Sequence, residues 1–185
     1  MSDIAICRWL DLKGDRVQAL LDLDHVFFSS SARQTFASDQ ERVQFRERWL
    51  GRYLTHFAEH AFVAVTPEGH VAGYVIGSLE DPALDPHFAD LPFWESFGDL
   101  TARYPAQLHV NVEEARRGQH IGAALITAFA RHAEESGAPG VHVVTGRGMR
   151  NVGFYLANGF EELGVHRASG HELLFLGRAL SPARF

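Results

Sequence analysis

Leu108-His109-Val110-Asn111-Val112-Glu113-Glu114-Ala115-Arg116-Arg117-Gly118-Gln119-His120-Ile121-Gly122-Ala123 is the stretch on which the fold turns. Leu108 to Val112 reads as a strand, four residues make a turn, and Arg117 to Ala123 opens a helix. Ile121, Leu125, Ala128, Phe129 and His132 fall on one face of that helix. A glycine-containing turn that feeds a helix N-terminus gathers unpaired backbone N–H groups and the positive end of the helix dipole in one place. An anion such as a pyrophosphate is expected to bind there. The pattern is neither Gly-x-Gly-x-x-Gly nor Gly-Lys-Ser/Thr, which disfavours both common nucleotide folds.

Upstream, Ile4 to Leu10 reads as a first strand. Gly14-Asp15 then precedes a helix with Val17, Leu20 and Leu21 as its apolar positions. Ser38-Asp39-Gln40-Glu41 fits a capping box, and Val43, Leu50, Tyr53, Leu54 and Phe57 recur at helical spacing in a helix expected to reach His60. Ala61–Thr66 and Val71–Leu79, separated by Pro67-Glu68-Gly69-His70, form a hairpin. The segment from Asp81 to Pro105 carries Phe88, Phe93, Trp94 and Phe97 among prolines. It is expected to be a long connection that packs down, as a flap over the core or as a wall of a substrate site. Downstream, Gly137-Ala138-Pro139-Gly140 ends the helix and Val141–Thr145 is a strand. Asn151–Asn158 is a short helix stopped by Gly159, and Phe160–Val165 and Glu172–Leu180 are the last strands. The order is β-α-α-β-β-β-α-β-α-β-β, an α/β (α+β) arrangement.

A chain of 185 residues, 46% hydrophobic, is long enough to bury about two-thirds of its unfolded surface, and a single domain over residues 1–185 is expected. The net charge of −6, with both signs scattered, leaves no basic stripe for phosphates, so no nucleic acid is expected as a partner. Cys7 stands alone, the start Met1-Ser2-Asp3-Ile4 lacks a basic region and a long apolar stretch, and no run reaches membrane-spanning length. A cytoplasmic protein without a membrane partner, monomeric or homodimeric, is expected. The 11 histidines are dispersed without ligand spacing, so no metal is expected.

Arg117-Gly118-Gln119-His120-Ile121-Gly122 resembles the Arg/Gln-x-x-Gly-x-Gly/Ala signature that follows the fourth strand of the GNAT superfamily of acetyltransferases, with His120 in place of the central glycine. Asn151-Val152-Gly153-Phe154-Tyr155-Leu156-Ala157-Asn158-Gly159-Phe160 looks like the family's Phe-Tyr-x-x-x-Gly-Phe helix and following strand. Two blocks in this order imply the GNAT fold: a mixed, mostly antiparallel sheet of about seven strands, splayed between strands 4 and 5 and flanked by four or so helices, with CoA in the splay. Tyr104 to Asn111, together with Gly140-Val141-His142, is similar to the acetyltransferase-like domain attached to some O-GlcNAcases and to its free-standing bacterial relatives. Gln107 and Asn111 stand there in place of histidine and aspartate.

The resemblance implies an N-acetyltransferase that uses acetyl-CoA and passes its acetyl group directly to a primary amine in a ternary complex. Such transfer needs a neutral amine, a group that stabilises the oxyanion, and an acid for the departing thiolate. Tyr155 stands where family members place the tyrosine beside the CoA sulfur, and a phenol is protonated at neutral pH. The backbone N–H groups of Val110 and Val112 are expected to hold the thioester carbonyl if the strand bulges there. His109 is the candidate base, and Glu113 and Glu114 are candidates to relay a proton through water. The cofactor is expected on Val110, Val112, Arg117, Gly118, Gln119, His120, Ile121, Gly122, Ala123, Asn151, Phe154 and Tyr155. The alternative is a catalytically impaired pseudo-acetyltransferase that binds acetyl-CoA or a protein partner. His120, Asn111 and Gly148, the last where family members often carry asparagine, point that way.

Overall fold

Two capping residues start the helices of the N-terminal third, as seen in a computed structural model that describes residues 4–168 and 170–181. Met1-Ser2-Asp3, read above for a leader, lies outside the described residues. Asp15 caps α1 (Arg16–Ser30), its Oδ1 accepting the N–H groups of Val17 and Gln18 at 2.8 and 3.2 Å. The buried face of α1 is Ala19, Leu23, Val26 and Phe27, whereas Val17 and Leu21 are exposed. The expectation from Val17, Leu20 and Leu21 was out of phase, because the larger apolar set Leu23, Val26 and Phe27 at i, i+3 and i+4 decides which side turns inward.

Ser38 caps α2 (Asp39–Arg46) by accepting the Glu41 N–H at 3.1 Å. The Glu41 carboxylate reaches one residue past the cap, to the N–H of Ala37 at 2.7 Å. α2 continues through a π turn, Glu47–Gly51, into α3 (Arg52–His56), and a 3₁₀ turn follows at Ala58–His60. The single helix expected to reach His60 is therefore four pieces: two α-helical segments, the π turn and the 3₁₀ turn. The extra residue of the π turn shifts the phase, leaving Val43 exposed while Leu50, Tyr53 and Phe57 are buried.

The strands are β1 (Ala5–Arg8), β2 (Phe62–Val65), β3 (Val71–Ser78), β4 (Ala106–Val112), β5 (Gly140–Gly146), β6 (Glu161–Ala168) and β7 (His171–Ala179). They form one seven-stranded sheet in the order β1-β2-β3-β4-β5-β7-β6. β1–β2, β2–β3, β5–β7 and β6–β7 pair antiparallel; β4 and β5 pair parallel through Ala106↔Val141 and Gln107↔His142. The mixed, mostly antiparallel sheet expected from the sequence is thus present. Trp9 and Leu10, expected in the first strand, curl instead into a 3₁₀ turn.

Contacts group the chain into two compact units: residues up to 77 with 109–129, and residues 78–108 with those from 130 onward. In the first, Leu23, Phe27, Leu50, Tyr53, Val63, Tyr74 and Leu125 are buried. In the second, Phe88, Trp94, Phe97, Val141, Phe160 and Phe175 are buried. The connection between Asp81 and Pro105 is not structureless. It holds 3₁₀ turns at Pro86–Phe88 and Pro92–Phe97 and a short helix, α4 (Gly98–Arg103). Leu100 and Phe97 occupy the space beside Gly164 of β6, where an added Cβ would stand 2.6 Å from Leu100 Cδ1. The last helices are α5 (Ile121–Glu135) and α6 (Asn151–Ala157). With α4 added and one helix divided, there are six α-helical segments among the described residues where four or so helices were expected.

Candidate functional site

The loop from Arg117 to His120 holds two left-handed residues in four. Gly118 has φ 79° and His120 has φ 61°, the latter being the one non-glycine residue with positive φ among those described. The sequence departs from the family signature at His120, yet the backbone keeps the conformation for which a glycine serves. The carbonyl of His120 accepts the N–H of Ala124 at 3.0 Å, so His120 is the residue from which α5 starts. The amides of Ile121, Gly122 and Ala123 have no partner one turn back in the helix, and the positive end of a 15-residue helix lies with them. Gly118, Gln119 and His120 are exposed, and a Cβ at Gly118 would meet nothing within 4 Å. An open loop that presents consecutive amides in this way fits a pyrophosphate.

Arg117 Nη1 donates to Glu114 Oε1 at 3.1 Å and Arg116 Nε to Glu113 Oε2 at 3.2 Å. Each carboxylate suggested as a proton relay therefore faces an arginine three residues on. Such half-exposed pairs contribute at most about 1 kcal/mol, so Arg117 can exchange Glu114 for a phosphate at small cost. The Glu113 N–H donates to the Ala72 carbonyl at 2.9 Å, which fixes the end of β4. Val110 and Val112 are half-buried, and Val112 Cγ2 would stand 3.2 Å from a Cβ added at Gly73. Asn111 Nδ2 donates to Tyr74 Oη at 2.7 Å; an amide so employed is no base.

His109 is half-buried, with its Nε2 3.0 Å from Tyr53 Oη. The rings of Tyr53 and Trp49 meet it edge-on at centroid distances of 5.3 and 5.7 Å. Burial, and then the nearby Arg52 guanidinium, push the imidazole down to about 4, so it is neutral at pH 7. Tyr53 and Trp49 were read from the sequence only as helix periodicity or not at all. Their partner lies 56 residues away from Tyr53, and no local pattern reports that distance.

The second set of expected residues lies on α6, in the second unit. Tyr155 is 5% exposed, and its ring is edge-on to Phe154 and Phe160 at 5.4 and 5.5 Å. Asn151 Oδ1 accepts the Thr145 hydroxyl at 3.0 Å, tying the start of α6 to β5. Gly159 ends the helix with φ 82°, as expected. In the same unit Gln107 Nε2 donates to Ser78 Oγ at 3.1 Å, and His142 stacks on Phe175 at 4.6 Å with its Nδ1 at the Tyr104 carbonyl. Both are core side chains here. Among the described residues no group of three His, Cys, Asp or Glu side chains is placed to hold a metal ion, and no helix is long and apolar enough to cross a membrane.

The strand order β1-β2-β3-β4-β5-β7-β6, with the loop of two left-handed residues ahead of α5, is the framework on which the comparisons with known proteins bear. The sequence profile of the acetyltransferase (GNAT) family matches residues 18–160, and the chain belongs to that family. Among solved structures it is similar to SsHAT, with 23% identity over 95% of this chain and 98% of that one and a TM-score of 0.73. It is similar to PH1933 from Pyrococcus horikoshii OT3, with 14% identity, coverages of 97% and 99%, and a TM-score of 0.69. A GNAT superfamily phosphinothricin acetyltransferase from Sinorhizobium meliloti, solved in complex with AcCoA, gives 17% identity, coverages of 96% and 88%, and a TM-score of 0.58. No curated protein matches the sequence.

Proposed function

We propose that this chain is an acetyl-CoA-dependent N-acetyltransferase, acting as a single domain over residues 1–185 and transferring the acetyl group directly to a primary amine. The observation that carries the reading is the loop Arg117–Gly122, with its two left-handed residues and its amides opening α5. Bound acetyl-CoA would supply a thioester activated towards amines. The chain's own part is to hold the pyrophosphate on the amides of 118–123 with Arg117, and to orient the thioester carbonyl with the N–H groups of Val110 and Val112. His109 accepts the amine proton and the Tyr155 hydroxyl gives one to the departing sulfur. Phe154 and Asn151 support Tyr155 on α6. The likeness to SsHAT keeps open the relation to the O-GlcNAcase-associated subgroup, and a cytoplasmic location is part of the same proposal.

The second reading, a pseudo-acetyltransferase, is favoured by one observation: Asn111, at the acidic position of that subgroup, is committed to Tyr74. Two measurements separate the readings. Calorimetry with acetyl-CoA is expected to give micromolar binding and a raised Tm. Release of free CoA thiol across a panel of primary amines is expected to show turnover. Binding without turnover selects the second reading; the absence of both removes the enzyme reading and leaves the second only as a domain that binds a protein partner.

A further inference from the structure

We propose that the side chain of His120 is itself a ligand of the cofactor, donating an imidazole N–H to the pyrophosphate of acetyl-CoA beside the open amides of α5. The inference rests on the acetyl-CoA reading above. It deepens that reading by adding a side-chain contact to the backbone amides and Arg117.

Three observations carry it. His120 holds φ 61°, a conformation that an L side chain resists and that a glycine adopts without steric cost. The turn itself therefore does not call for a histidine; what the histidine adds is its side chain. That side chain is exposed, and among the described residues it has no hydrogen-bond, ion-pair or ring partner. No described polar contact of the imidazole offsets the strain, and a strained residue without an internal partner points to a partner outside the chain. The third observation is its place. His120 directly precedes the amides of Ile121, Gly122 and Ala123, and its carbonyl opens α5 by accepting the Ala124 N–H at 3.0 Å. An anion seated on those amides is next to the His120 Cα, in range of an exposed side chain that is free to turn about χ1. The charged residues just upstream pair with each other, Arg116 with Glu113 at 3.2 Å and Arg117 with Glu114 at 3.1 Å. All of these residues belong to the first compact unit.

The ligand follows from the family: the chain belongs to the acetyltransferases, and acetyl-CoA carries a pyrophosphate whose charged oxygens accept strong hydrogen bonds. An imidazole has one N–H in either neutral tautomer and two as the cation, so the contact does not depend on which ring nitrogen bears the proton. The same side chain also narrows the approach of the backbone to the phosphates. Its two effects on binding are opposite in sign, and the affinity of a variant without it decides between them.

Calorimetry on the full-length chain with His120→Gly makes that decision, because glycine keeps the turn and removes the imidazole. The expected result is a Kd for acetyl-CoA raised roughly fivefold to tenfold, together with a urea midpoint that rises as the strain is relieved. A merely structural side chain would not couple a loss of affinity to a gain of stability. The same factor is expected with acetyl-dephospho-CoA, which lacks the 3′-phosphate, because the contact is to the pyrophosphate. A variant that binds acetyl-CoA as tightly as the wild type, or more tightly, overturns the proposal. A loss seen with acetyl-CoA and absent with the dephospho form overturns it as well, by moving the imidazole to the 3′-phosphate. A variant less stable than the wild type would mean that His120 holds the loop together, which also overturns it. A wild type that takes up no acetyl-CoA removes the cofactor reading and the proposal together, whereas wild-type binding with an unchanged variant removes the proposal alone.

Discussion

At His120 the backbone adopts a conformation that an L side chain resists by about 1–2 kcal/mol. His120→Gly removes that strain but adds freedom to the unfolded chain, so a net gain of roughly 0.5–1 kcal/mol is expected in urea unfolding. A loss of stability would mean that the imidazole makes contacts worth more than the strain it causes. Tyr155 poses a different question, because it is 5% exposed and is also the proposed acid. Tyr155→Phe keeps the ring against Phe154 and Phe160. It is expected to leave acetyl-CoA affinity and Tm nearly unchanged while slowing turnover by about 10²- to 10⁴-fold. A large fall in Tm would instead assign the hydroxyl to a buried structural hydrogen bond, worth roughly 1–3 kcal/mol.

Among the elements, the β5–β7 pair shows how glycine can act through space as well as through torsion. Gly140 and Gly177 lie on these strands; a Cβ at Gly140 would run into the Tyr104 ring, and one at Gly177 would meet Leu163 Cδ1 at 2.5 Å as well as the Tyr104 ring at 3.2 Å. The two glycines form a flat seat for Tyr104. Gly140→Ala is therefore expected to destabilise by about 1–3 kcal/mol, and Tyr104→Ala is expected to cancel much of that cost in a double-mutant cycle. Additive losses would show that the ring yields freely. Reading Gly140 from the sequence as the end of a helix signal found its place in the chain but not this role. The same division runs through the fold. Ser38 as a cap, Gly14-Asp15 as the approach to a helix, Gly159 as a stop and the 62–78 hairpin were legible because their partners lie within a few residues. The π turn at Glu47–Gly51, helix α4 and the inward face of α1 were not, because packing against distant segments decides them. In the candidate site the loop 117–122 was legible as a local motif. The Tyr53–His109 and Tyr74–Asn111 pairs, spanning 56 and 37 residues, had no local signature.

For the whole molecule, acid stability gathers the consequences of burying His109. Its folded imidazole titrates at about 4, against about 6.5 when exposed, because burial disfavours the cation and Arg52 repels it. Between those two values the unfolded chain binds more protons than the native one, so stability is complete above pH 6.5 and falls as the pH drops towards 4. The loss expected from this one group between pH 7 and pH 4.5 is on the order of 2 kcal/mol. Asp22 acts lower on the scale. Partial burial opposes its ionisation, but hydrogen bonds from the Val71 N–H, Gln18 and His70 outweigh that and hold its carboxyl below the usual value, so its share is lost only in stronger acid. The two contributions therefore occupy different pH windows and can be told apart. Urea midpoints measured at half-unit steps from pH 7.5 to pH 4 are expected to decline smoothly in the wild type. In His109→Gln, whose side chain does not titrate, the decline above pH 4.5 is expected to be much shallower. A wild-type midpoint that stays level down to pH 4.5 would mean that the native imidazole titrates near its exposed value of about 6.5 and is not held neutral by burial.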